Sequence, residues 1–274
     1  GTGDLARRKL IPSIYALVTE TAIGDNCVIL GVGSRDMDDD DYQAWARDAL
    51  TDAGLSHEDL ASWPDANVHF EHLERDAGSL DQLAHRIEEL EAAHDLPGNR
   101  VFYLAVPPSV FPGTIERLGL ASLNNSPGWT RLVIEKPFGT DLTSAHKLND
   151  LVHRWFPEHQ VYRIDHYLGK ETVQNVLTFR FSNPMFEHLW NRDRVQSVEI
   201  TVAEDLGIAG RAGYYETAGA RRDMVQNHLT QVLTLVAMEP PVSFDAEQIR
   251  NEKVKVIEAI APITPEDVVF GQYD

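Results

Sequence analysis

Val101-Phe102-Tyr103-Leu104-Ala105-Val106-Pro107-Pro108 decides the fold class. Six apolar or aromatic residues run without alternation and stop at two prolines. A strand covered on both faces needs this pattern, and proline, lacking an N–H, cannot extend its ladder. Two runs of the same kind flank it. Cys27 to Gly33 lies upstream, and Leu132-Val133-Ile134 lies downstream, ended by Glu135-Lys136-Pro137. Helical patterns fill the intervals. Residues 5–19 predict a helix with Leu5, Leu10, Ile14, Leu17 and Val18 on one broad face. The acidic run Asp38 to Asp41 suits a helix start, where carboxylates favour the dipole. Leu80, Leu83, Ile87 and Leu90 mark an amphipathic helix. Strands alternating with helices give βαβ units, so residues 1–163 are expected to form an α/β Rossmann-like domain with a parallel sheet.

The pattern then changes. Val198, Ile200 and Val202 alternate with Ser197, Glu199 and Thr201, as in a half-buried strand of a mainly antiparallel sheet. Glu204 falls in phase with the apolar set and needs partners or a ligand there, because burying a bare charge is costly. Leu229, Val232, Leu233 and Val236 follow at helical spacing. Residues 164–274 are therefore expected to form an α+β domain.

Composition excludes several classes of function. The net charge of -19 across 274 residues argues against nucleic acid as a partner, since such binders carry a basic face. No run approaches the ~18–20 apolar residues of a membrane span. Arg7, Arg8 and Lys9 interrupt any signal-like start. Cys27 is the single cysteine, which rules out an internal disulfide and suits a reducing cytoplasm. No metal site is read from the sequence.

The chemistry concentrates in Arg163-Ile164-Asp165-His166-Tyr167-Leu168-Gly169-Lys170-Glu171. A carboxylate, an imidazole, a phenol and an ammonium crowd beside a glycine that admits close backbone approach. Val173, Val176, Leu177 and Phe181 continue at helical spacing, which puts Lys170 in a first helical turn where an anion is favoured. This suits a phosphorylated small molecule; a mixed-charge surface loop is the alternative. At the other end, Gly1-Thr2-Gly3-Asp4 heads a helix bearing Arg7, Arg8 and Lys9. Cations there oppose the dipole unless an anion is bound, or they are a plain basic patch. Ser34 and Arg35 follow the first strand, where an arginine suits a 2′-phosphate, while Asp36 leaves room for NAD. Lys136 stands at a strand's C-terminal end, where open α/β sheets bind ligands. Of the eleven histidines, His228 sits where the amphipathic helix of Leu229 to Val236 begins its apolar run. Asp223 precedes it by five residues, which on a regular α-helix places the two about 140° apart.

Asp165 to Glu171, read as Asp-His-Tyr-Leu-Gly-Lys-Glu, resembles the signature of the glucose-6-phosphate dehydrogenase family. Residues 1–9, Phe102 to Pro108, Glu135 to Gly139, Trp190-Asn191-Arg192, Gly213-Tyr214-Tyr215 and Asp223 to His228 also fit, in the family's order. The resemblance implies oxidation of glucose 6-phosphate with NADP. It implies His228 as the base and Asp165 as the carboxylate that orients it. His166, Tyr167 and Lys170 are implied to hold the phosphate, and Glu204 and Asp223 the sugar hydroxyls. Gly1, Thr2, Gly3, Asp4, Leu5, Ser34, Arg35 and Pro107 are implied at the cofactor. Lys136 is implied between nicotinamide and sugar, with Pro137 cis. Many relatives carry the arginine at the position of Ser34, which leaves strict NADP use open. By the same resemblance the chain lacks a first strand and a C-terminal part, and the full-length protein is a homodimer or homotetramer. A related Rossmann sugar dehydrogenase and a non-catalytic nucleotide-binding fragment are the competing readings.

Overall fold

The structure is a computed structural model that describes residues 1–19, 27–74, 78–203 and 212–271. The chain divides into two compact units, Gly1–Ile164 and Asp165–Asp274.

In the first unit β1 (Ile29–Gly33) pairs in parallel with β2 (Val68–His72), Ile29 facing Val68. A second parallel sheet runs β3 (Arg100–Leu104), β4 (Thr130–Ile134), β5 (Val161–Arg163), with Phe102 opposite Leu132 and Leu132 opposite Val161. Each connection carries a helix. These are α2 (Asp39–Asp52), α3 (Asp81–Ala93), α4 (Phe111–Leu120) and α5 (Leu142–Trp155), after α1 (Ile11–Thr19) at the start. The parallel Rossmann-like pattern expected from the apolar runs is present, but as two sheets. Among the described residues no ladder joins β1 to β3; the Val32 carbonyl of β1 instead accepts from the Gly1 nitrogen.

Apolar residues fill the space around the second sheet. Leu104, Leu132 and Ile134 pack with Phe111, Ile115 and Leu118 of α4 and with Leu148 and Val152 of α5. Tyr42, Ala46, Ala49 and Leu50 of α2 close a second cluster against Val68 and Phe70. The acidic run caps α2 as expected: Asp38 accepts from the Asp41 N–H at 2.8 Å. Asp39 then ties that end to its neighbours, accepting from the Phe70 N–H at 2.8 Å and from Arg86 at 2.8 Å.

The expected face of the first helix is partly buried at Leu5, Leu10, Ile14 and Val18, and only Leu17 of that set is exposed. Ala6 and Ile11, five residues apart, are buried more fully, at the π-helical turn Ala6–Leu10 ahead of α1.

Glycine permits the closest helix contact here. A Cβ on Gly119 of α4 would lie 2.0 Å from Cδ2 of Trp155 on α5. Gly119→Ala is expected to cost about 1–3 kcal/mol through overpacking, despite alanine's better helix propensity. Urea unfolding reads it, and an unchanged or raised midpoint would show that the ring yields freely.

The second unit is helical among the described residues: α6 (Glu171–Phe181), α7 (Pro184–Glu187), α8 (Ala212–Ala220), α9 (Thr230–Ala237) and α10 (Ala246–Ala259). A long π-helical stretch, Arg221–Leu229, joins α8 to α9. The strand expected around Val198, Ile200 and Val202 is not formed there. Residues 195–203 carry no regular secondary structure, and Val198 is exposed. Alternation prepares a segment for pairing, but a strand needs a partner, and no described segment supplies one. No described helix is long and apolar enough to cross a membrane.

Candidate active site

The signature segment folds as a chain of tight turns. Leu168 N–H donates to Asp165 O at 3.0 Å, Gly169 N–H to His166 O at 3.3 Å and Lys170 N–H to Tyr167 O at 3.1 Å. Lys170 is therefore the N-cap of α6, one residue earlier than its expected place in the first turn. Val173, Val176, Leu177 and Phe181 are all partly buried on one side of α6, as their spacing predicts.

The turns bring Asp165 to His228, 63 residues away in sequence. His228 Nδ1–H donates to Asp165 Oδ1 at 2.5 Å, and the same oxygen accepts the Tyr167 N–H at 3.0 Å. The Tyr167 ring stacks on the His228 ring, centroids 4.1 Å apart at 19°. The His166 ring stands edge-on to both, 4.6 Å from His228 and 4.9 Å from Tyr167. The Lys170 ammonium lies 3.5 Å over the Tyr167 ring. His228 is 1 % exposed and Tyr167 6 %, while His166 and Lys170 face solvent. A carboxylate bonded to Nδ1 fixes the tautomer and leaves Nε2 as the acceptor.

Asp223 corrects the helical-wheel expectation. At 4 % exposure it is buried together with His228. Both lie in the π-helical stretch, whose i→i+5 bonding aligns residues that an α-helix would separate. Glu204 lies outside the described residues.

One contributor, Lys253, carried no sequence signal of a role. Lys253 of α10 donates to Gln231 Oε1. Burial draws its ammonium below the ordinary lysine value, against the opposing charge of Asp165. Lys253 also lines a groove of about 540 Å³ with Leu168, Gln174, Leu177 and Leu235. Only a helical pattern surrounds it in sequence, so nothing there announces the contact.

In the first unit the expected cofactor residues fall before the first helix and after β1, β3 and β4. Gly1 packs on β1 so tightly that a Cβ on it would lie 2.7 Å from Gly31 Cα. Its carbonyl accepts from Tyr42 Oη at 3.2 Å. A Cβ on Gly3 would meet nothing within 4 Å, beside the helix start at Asp4. Tight glycine packing on the strand with open space at the helix start fits the phosphates of a dinucleotide. Ser34 and Arg35 follow β1 and are exposed, and Pro107 follows β3. Thr2 and Leu5, which flank Gly3 and Asp4, are partly buried. Two of the three cations near this helix start already have carboxylate partners. Arg7 pairs with Asp52 at 2.6 Å and Arg8 with Asp4 at 2.9 Å, so neither needs a bound anion.

Lys136 follows β4 and its bond to Pro137 is cis. The residue before it has a partner that was not foreseen. Tyr103 donates to Glu135 across the β3–β4 ladder. Burial, and then the Glu135 carboxylate, push the Tyr103 phenol well above its usual range. The register explains the contact: Tyr103 faces Val133, and Glu135 is two residues on, on the same side of the sheet.

Residues 1–175 match the family described as glucose-6-phosphate dehydrogenase, NAD binding domain, and residues 177–274 match its C-terminal domain. The chain belongs to the glucose-6-phosphate dehydrogenase family. It is 43 % identical to glucose-6-phosphate 1-dehydrogenase of Bacillus subtilis (strain 168), over 99 % of this chain and 56 % of that protein. The enzyme of the same name from Aggregatibacter actinomycetemcomitans is 44 % identical, with the same coverage. A solved structure of glucose-6-phosphate dehydrogenase in complex with its substrate glucose-6-phosphate superposes with a TM-score of 0.90 at 37 % identity. It covers 99 % of this chain and 57 % of that one. The chain thus spans about half the length of the curated relatives it matches.

Proposed function

We propose that the chain is the part of a glucose-6-phosphate dehydrogenase that oxidises glucose 6-phosphate to 6-phosphogluconolactone. The observation that carries this is the 2.5 Å bond from buried His228 to Asp165, inside a cluster with His166, Tyr167 and Lys170. The reaction removes a proton and a hydride from one carbon–oxygen unit of the sugar. His228 Nε2 takes the proton, and Asp165 stabilises the imidazolium that forms, as the carboxylate of a catalytic triad does. Bound nicotinamide supplies the acceptor for the hydride. His166, Tyr167 and Lys170 hold the phosphate by charge and hydrogen bonds. Asp223 accepts sugar hydroxyls, with Glu204 assigned the same task by resemblance. Lys136, at the end of β4, is assigned to the cofactor and to the sugar by resemblance.

The cofactor is assigned to Gly1, Thr2, Gly3, Asp4, Leu5, Ser34, Arg35, Pro107 and Lys136. Arg35 favours NADP, because its guanidinium suits a 2′-phosphate, and Asp36 allows NAD as a second choice. Arg35→Ala is expected to weaken NADP more than NAD in a fluorescence titration. Equal losses would remove the 2′-phosphate from Arg35.

Lys170→Ala tests the phosphate assignment. A charge-assisted contact is worth about 1.5–3 kcal/mol, so KM for glucose 6-phosphate is expected to rise about tenfold to a hundredfold. Glucose, which lacks the phosphate, is expected to lose nothing. Equal losses for the two sugars would take Lys170 out of the phosphate site.

The alternation at Val198, Ile200 and Val202 supports a strand of an antiparallel sheet in the second domain. By family likeness the protein assembles as a homodimer or homotetramer. The single Cys27 suits the cytoplasm.

A further inference from the structure

The cluster around His228 has a second capacity that proton transfer does not use. A carboxylate oxygen of Asp165, a ring nitrogen of His166 and a ring nitrogen of His228 all lie within 4.8 Å of one another. Two imidazoles and one carboxylate make a donor set suited to Zn2+ and its neighbours, and poorly suited to Mg2+ or Ca2+, which take oxygen ligands. Zinc–nitrogen bonds are about 2.0–2.1 Å, so tetrahedral donors stand roughly 3.3 Å apart. Asp165 and His228 are already closer than that, at 2.5 Å, and need only part. His166 is exposed and sits in a turn next to Asp165, so its ring is the donor that closes. Its exposure also leaves a fourth position open to water.

We propose that Asp165, His166 and His228 form a chelating site for a borderline divalent cation of the Zn2+ class. The metal replaces the Nδ1 proton that His228 donates to Asp165, which leaves to solvent, and takes up one nitrogen of each imidazole. On the proposed reaction, metal and glucose 6-phosphate then exclude each other, because the metal occupies both the base and a phosphate-holding residue. The metal site itself does not depend on that reading.

Titration of the untagged chain with Co2+, followed by visible absorbance, tests this. One Co2+ per chain is expected, displaced by Zn2+. His166→Asn, at an exposed position, is expected to weaken binding about tenfold or more. No Co2+ absorbance would overturn the proposal. So would binding that survives His166→Asn and vanishes in His69→Asn. That result would assign the metal to the pair His69 and His94 in the first unit, whose Nε2 atoms are 3.3 Å apart. Addition of glucose 6-phosphate separates the two readings. Raised Co2+ midpoints support the shared site. Binding that depends on His166 yet ignores the sugar phosphate would leave the metal site standing and remove the substrate from it.

Discussion

His228→Asn is expected to lower turnover by about two to four orders of magnitude while leaving KM for glucose 6-phosphate near its original value. The sugar hydroxyl is not acidic at neutral pH, so hydride loss is slow unless a base takes its proton in the same transition state. The imidazole can do so because Asp165 holds its Nδ1–H at 2.5 Å and presents Nε2 as the acceptor. Asparagine keeps some hydrogen bonding but cannot carry the proton. The phosphate contacts assigned to His166 and Lys170 stay intact, so binding suffers little. The measurement is nicotinamide absorbance at saturating sugar phosphate and NADP, with the complete polypeptide. Unchanged turnover would remove His228 as the base. Loss of KM and turnover together, with a broadened unfolding transition, would indicate damage to packing, since the ring is buried against Tyr167.

Apolar runs ended by proline or glycine were enough to read β1, β3 and β4, but not β2 or β5, whose short runs carry His69, Glu71, His72 and Arg163 and lack that pattern. The acidic start of α2 was legible for a similar reason: capping is local. Long-range chemistry was less accessible. Spacing alone could not join Asp165 to His228 across 63 residues; only the resemblance suggested the pair. Asp223 and His228 are both buried in one π-helical stretch, where an α-helical wheel would set them about 140° apart. An extra residue per turn leaves no mark in composition, and whether a helix takes it depends on packing at both ends. Tyr103 and Glu135 could have been paired by aligning the two strands on their terminal prolines, Pro107 and Pro137. Lys253 could not, because its role depends on where α10 lies.

Arg180→Ala is expected to destabilise the second unit by about 3–5 kcal/mol, the largest loss from any single truncation there. Arg180 is only 5 % exposed, in α6. Its Nη1 donates to Leu235 O at 2.7 Å and its Nη2 to Met238 O at 2.8 Å. Both carbonyls belong to the end of α9, where the last C=O groups have no helical partner and the dipole favours a cation. The guanidinium therefore caps one helix from inside another. Trp190 and Phe181 add ring faces, with centroids 5.3 Å and 4.6 Å from Cζ. Burial pulls the guanidinium below its ordinary pKa, opposed by the charge of Glu239, yet an arginine stays charged throughout the working range. Alanine removes two charge-assisted bonds and leaves two buried acceptors unmet. Lysine restores the charge but lacks the planar fork that reaches both carbonyls, so Arg180→Lys should recover less than half the loss. α9 follows directly from the stretch that carries Asp223 and His228, so slackening its far end should also raise amide exchange around His228. Guanidinium unfolding gives the stability and hydrogen exchange the local effect. A stability change under 1 kcal/mol, or exchange confined to Leu235 and Met238, would show that Arg180 caps α9 without supporting the site.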